Sequence, residues 1–124
     1  MADRILTWYI ENPKNTGSEG ATYCLDRSYS LPGMVRVYAG DAPGSAELQV
    51  DIKDDGVSIF TNLPSLQKGE NELDWWEDFN DDLSIMAQYS WVSLEIPQFG
   101  GAKRITVVLE LQYENAELPQ DDED

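Results

Sequence analysis

The sequence contains no histidine and a single cysteine. The first absence removes the Ser-His and Cys-His catalytic arrangements and every histidine-bearing metal site together. Cys24 has no partner for an internal disulfide, and between Tyr23 and Leu25 it is expected to be a buried, inert thiol. Basic residues are scarce: 8 Lys and Arg stand against 24 Asp and Glu, a net charge of −16. Such a surface repels phosphate, so nucleic acid and anionic membranes are poor partners. It suits a cation, a basic protein surface or, before either, plain solubility in a dense assembly. The longest apolar run, Leu6–Ile10, is too short to cross a bilayer and includes Thr7. Without a cysteine framework or a signal-peptide pattern, the expected compartment is a reducing cytoplasm or a particle released from one. Glycine-rich phosphate loops, basic patches interleaved with aromatics and long amphipathic helices are also missing.

What is present reads as strands. The 124 residues, 41% hydrophobic and 10% aromatic, suffice for one domain with its own core. In Ala46–Phe60, Leu48, Val50 and Ile52 alternate with Gln49, Asp51 and Lys53, the period of a strand with one buried face. Asp54-Asp55-Gly56 then predicts a tight hairpin, and Val57 and Ile59 resume the alternation. Arg4–Glu11 is apolar on both parities, which predicts a strand covered on both faces or one whose second face meets another subunit.

Thr22–Leu31 is a weaker strand pattern. Pro32-Gly33 predicts a turn before Met34–Ala39, with Val35 and Val37 on one face. Ser90–Ile96 places Val92, Leu94 and Ile96 inward and Trp91, Ser93 and Glu95 outward. Gly100-Gly101 then predicts a hairpin into Arg104–Tyr113, whose inward set is Ile105, Val107, Leu109, Leu111 and Tyr113. That strand is long enough to lie near the middle of a sheet. Residues 1–113 therefore predict one all-β domain, an antiparallel β-sandwich of jelly-roll type with about eight strands. An eight-stranded barrel is the alternative. Residues 114–124 are acidic without apolar period and predict a mobile tail.

Between these patterns lies Glu70–Asp82, dense in carboxylates and carrying Trp75, Trp76 and Phe79. The spacing of Leu73, Trp76 and Phe79 allows a short helical turn; an excursion pinned by aromatics over the sandwich edge is preferred. Asp78-Phe79-Asn80-Asp81-Asp82 opens like a D-x-N-x-D calcium loop. Leu83 then stands where the glycine belongs and Tyr89 where the bidentate Glu belongs, so a solvated loop is favoured over a calcium site. Paired carboxylates for glycoside hydrolysis would arise by chance among so many acids and carry no weight. Trp75, Trp76 and Trp91 could stack on sugars, but covering an edge or an interface is preferred, because an open sheet edge must be shielded. No residue is assigned a catalytic or cofactor role.

Several runs in order carry a resemblance: Ala46–Phe60, Pro64-Ser65-Leu66-Gln67-Lys68-Gly69-Glu70, Ser90–Ile96, and Gly101-Ala102-Lys103-Arg104-Ile105-Thr106-Val107-Val108-Leu109-Glu110-Leu111. Together they resemble a β-sandwich module of tailed-bacteriophage virion proteins, over Gly40–Leu111. The sequence departs from that pattern at Tyr89, where glycine is common, and by the Glu70–Asp82 insertion. The resemblance implies a non-enzymatic virion part, a capsid decoration protein or head appendage. It implies assembly in a host cytoplasm, association as a homotrimer, and attachment to a major capsid or other virion protein. Trp8, Trp75, Trp76, Phe79 and Trp91 would then be the residues meeting neighbours. The alternative within the same resemblance is a fibre-tip module that binds a host-surface glycan.

Overall fold

The computed structural model describes residues 3–14 and 17–114, Pro32 by its backbone alone. The acidic tail expected beyond Glu114 lies outside them. The described residues form ten strands and no helix: β1 (Arg4–Ile10), β2 (Tyr23–Cys24), β3 (Tyr29–Asp41), β4 (Leu48–Asp54), β5 (Val57–Ser58), β6 (Ser65–Leu66), β7 (Glu72–Trp75), β8 (Ile85–Met86), β9 (Trp91–Gln98) and β10 (Lys103–Tyr113). One sheet has the order β1-β10-β3-β7, with β8 also on β3; the other has β2-β9-β4-β5, with β6 also on β4. The alternating residues of both sheets meet in one apolar layer, so the fold is the expected β-sandwich. There are more strands than the expected eight because two sheet edges are each made of short pieces in series. β7 and β8 share the edge of β3, and β5 and β6 share the edge of β4. A two-residue pairing leaves no period to read.

The core is built from the positions that the period picks out. Leu6, Trp8, Ile10, Val35, Val37, Ile105, Val107, Leu109 and Leu111 face inward from the first sheet; Leu48, Val50, Ile52, Val92, Leu94 and Ile96 face them from the second. Burying each such side chain contributes about 1.5–3 kcal/mol, which makes this layer the main source of stability. The Asp55-Gly56 hairpin forms as expected, with both residues at positive φ (50° and 85°), the primed turn that suits the twist of its strands. Val57, paired with Asp54 directly after the turn, is nevertheless exposed, whereas Ile59 is buried.

Four expectations are corrected. First, β9 and β10 are not a hairpin: they lie in different sheets, and 99–102 crosses between them. Alternation fixes which face is buried and is blind to whether the next strand pairs or crosses over. Second, Pro32-Gly33 lies within β3 rather than in a turn. The register shifts opposite it, between Glu110 and Gln112, and a Cβ on Gly33 would come 2.6 Å from the Glu110 carbonyl oxygen. Glycine serves a bulge and a close backbone approach here.

Third, within this chain β1 is covered on one face, so the first of the two expected arrangements, coverage on both faces, is not formed. Ile5, Thr7 and Tyr9 face outward. Trp8 is on the inner side, 1% exposed, its Nε1 donating to the Ala21 carbonyl at 2.7 Å and its ring edge-on to Tyr23. With its one donor satisfied it is a core residue and not a surface candidate. Fourth, Cys24 is exposed rather than buried, because β2 is an edge strand and Cys24 has the outward parity beside Trp91.

The crossover at 99–102 packs closely against 44–46. Gly100 (φ 58°) accepts hydrogen bonds from the Gly44 and Ser45 amides and leaves no room for a Cβ against the Ala46 backbone. Gly101 has φ 88° but open space around it. Gly100→Ala is expected to cost more than about 2 kcal/mol and Gly101→Ala about 1 kcal/mol, the difference being the collision. Chemical denaturation of the two variants checks this.

Candidate functional site

The segment Glu70–Asp82 first supplies β7 to the edge of β3 and then crosses to the other sheet. Phe79 meets Phe60 in an isolated bridge, with ring centroids 5.2 Å apart. The Thr61 amide donates to the Asp78 carbonyl (2.6 Å), the Asn80 amide to the Ile59 carbonyl (2.9 Å), and Asn80 Nδ2 to the Ser58 carbonyl (3.2 Å). The chain returns to the first sheet where the Leu31 amide donates to the Ser84 carbonyl at 2.8 Å. The preferred reading, an aromatic-pinned excursion, therefore holds, with an edge strand at its start; no helical turn forms.

This path encloses a groove of about 450 Å³ between the two sheet edges. Leu31, Trp76, Phe79 and Leu83 give it apolar walls, and Glu77, Asp78 and Asp81 stand on it. Trp76 is 61% exposed. No basic side chain lines the groove. Among the described residues, no group of three or more His, Cys, Asp or Glu side chains is arranged to hold a metal ion. Within the D-x-N-x-D run, Asn80 Oδ1 accepts from the Asp82 amide at 2.9 Å.

A second surface is the outer face of the first sheet. The register places Tyr9, Thr106, Tyr38 and Glu72 in one row, Thr7, Val108, Arg36 and Asp74 in the next, and Ile5, Glu110 and Met34 in a third. Ile5, Tyr9 and Tyr38 are each more than half exposed. Arg36 reaches both Glu110 (3.4 Å) and Asp74 (3.9 Å), and Arg104 pairs with Asp41. Asp74, Glu110 and Asp41 thus have bases beside them, whereas no ion pair reaches the acids of the groove among the described residues.

The third surface lies at one end of the second sheet, where Trp91 is 56% exposed beside Cys24 and near Tyr89. The Trp91 amide donates to Asp55 Oδ1 (2.8 Å), and the Cys24 thiol contacts the Tyr89 carbonyl at 3.6 Å. Tyr89 has φ 71°, a conformation glycine adopts without strain and an aromatic residue rarely adopts.

The five aromatic candidates thus separate. Trp76 and Phe79 share the groove. Trp75 is half-buried beside it on β7, its Nε1 buried without a hydrogen-bond partner. Trp91 is on the opposite sheet, and Trp8 is in the core. Sequence reasoning did not single out Tyr38, Leu31 or Leu83; Ile5 and Tyr9 were signalled only by the apolar second parity of the first strand. No protein-family model matches the chain, and no match was found among curated proteins.

Two buried carboxylates set the response to pH. Asp51 accepts from the Ser58 hydroxyl at 2.6 Å but is buried, and Asp54 carries a buried Oδ1 with no partner. Burial raises the pKa of both above the ordinary carboxylate value, against the opposing hydrogen bonds from Ser58 and Ser90. A carboxyl whose pKa is raised by folding favours the fold when protonated. Its stabilising contribution is complete below its unfolded pKa and is lost as pH rises through the folded value. Melting temperature is therefore expected to gain a contribution from these two groups as the pH is lowered from neutral toward the ordinary carboxylate pKa of about 4, and to gain less in the Asp51→Asn/Asp54→Asn protein. Tyr89→Gly, which relieves the left-handed strain without touching the core, is expected to stabilise by about 1 kcal/mol in urea denaturation.

Proposed function

We propose that this chain is a non-enzymatic structural protein of a bacteriophage virion, a capsid decoration or head appendage that acts through contact with copies of itself and with a shell protein. The resemblance over Gly40–Leu111 supplies the virion setting. The observation that carries the contact is the outer face of the first sheet, where Ile5 and Tyr9 on β1 and Tyr38 on β3 are exposed on either side of β10. Tyrosine and isoleucine grouped on a flat, regular surface are what a subunit interface buries, and aromatics dominate the energy of such contacts. Self-contact also requires that copies of a chain with net charge −16 approach one another. This face eases that requirement, because Arg36 and Arg104 offset its acids locally.

A second reading, recognition of a host glycan, is favoured by the exposed Trp91 ring and the strained, exposed Tyr89 near it. The two readings part on one pair of variants. Under self-assembly, light scattering gives a homotrimer for the native protein, and Tyr9→Glu/Tyr38→Glu gives a monomer with unchanged circular dichroism. Under glycan recognition, Trp91→Ala abolishes binding on a glycan array and leaves the mass unchanged. A native protein that stays monomeric at high concentration sinks the first reading.

A further inference from the structure

We propose that the groove beside Trp76 binds an arginine-bearing, extended segment of a partner protein. The groove has about 450 Å³, within the usual range for specific binding sites of about 300–1,000 Å³. Its apolar walls can take the methylene stem of a long side chain, and the exposed Trp76 ring offers a face to a cation. Glu77, Asp78 and Asp81 stand on it with no basic partner among the described residues. A planar guanidinium satisfies both features at once, since it stacks on indole and donates in pairs to carboxylates.

The neighbouring sheet edge argues for a polypeptide rather than a free small cation. β8 covers β3 only at Tyr29–Ser30 and β7 only at Val35–Tyr38. No described strand pairs with the stretch 31–34 on that side, and Leu31 within it lines the groove. The Leu31 amide already donates to the Ser84 carbonyl and Pro32 has no N–H, so an extended segment lying along this uncovered stretch would be held mainly by its side chains in the groove rather than by full strand pairing. This inference rests on the groove alone. It stands or falls independently of whether the chain associates with itself.

The test is an amide-shift titration of the full chain with acetyl-Leu-Arg-Leu-amide, with the citrulline peptide and N-acetylarginine amide as comparisons. The expected result is saturable binding in the sub-millimolar range, with shifts centred on Leu31, Thr61 and Leu83. Affinity should fall at least about tenfold for the citrulline peptide, and likewise between about 50 and about 500 mM salt. Trp76→Ala and Asp78→Asn/Asp81→Asn should each weaken binding at least about fivefold. Trp76 is exposed, and asparagine tolerates the positive φ of Asp78, so both variants should keep the native dichroism. The proposal is overturned by absence of saturation at millimolar peptide, by equal binding of the citrulline peptide, or by shifts confined to another surface. Binding of N-acetylarginine amide as tight as that of the tripeptide would also overturn it, since the occupant would then be a small cation.

Discussion

Everything in this fold depends on one apolar layer that must form while the chain carries a net charge of −16. Ion pairs cannot supply the cohesion: those present are few and largely exposed, and exposed pairs contribute little. The inward residues of the two sheets therefore hold the molecule together. Most of the described carboxylates lie outside the strands, and Glu72, Asp74, Glu95 and Glu110 take the outward parity of theirs. Where this separation fails, at Asp51 and Asp54, the consequence is a raised pKa rather than a rearranged fold.

The acidic excursion shows how a repelling segment is kept in place. Among the described residues only Asp74 has a basic partner, Arg36 at 3.9 Å, and beyond β7 the anchor is uncharged: the Phe79 ring against Phe60, and backbone amides at Thr61 and Asn80. Because β7 belongs to one sheet and Phe60 follows a strand of the other, the same segment ties the two sheet edges together. The groove follows from this route. A chain that leaves one sheet edge, touches the other and returns at Leu31 must pass around a space, and Trp76 and Leu83 border it.

The buried layer was legible from the sequence because a strand with one wet face repeats every second residue, and Val35, Leu94 and Leu109 all obey that period. The Asp55-Gly56 turn was legible for a different reason: it needs positive φ at both residues, and few sequences supply it. The path of the chain between sheets was not legible, since Gly100-Gly101 serves a crossover as well as a hairpin. Cys24 was misplaced because apolar neighbours in sequence are not neighbours in space on an edge strand. The candidate site was half legible. Aromatics and acids marked Trp76, Phe79, Asp78 and Asp81, whereas Leu31 reaches them only through the fold.

The two surfaces differ in how charge is managed, and that difference suggests different partners. On the outer face of the first sheet Arg36 and Arg104, taken from a total of only 8 basic residues, stand against nearby acids. Placing two of the eight cations on this face lowers the repulsion that a like-charged copy would meet there. At the groove no base among the described residues offsets Glu77, Asp78 and Asp81, which is the charge a basic segment would complement and a like-charged copy would not. A piece with one locally balanced face and one uncompensated groove can associate with its own kind on one side and hold an unlike, cationic partner on the other.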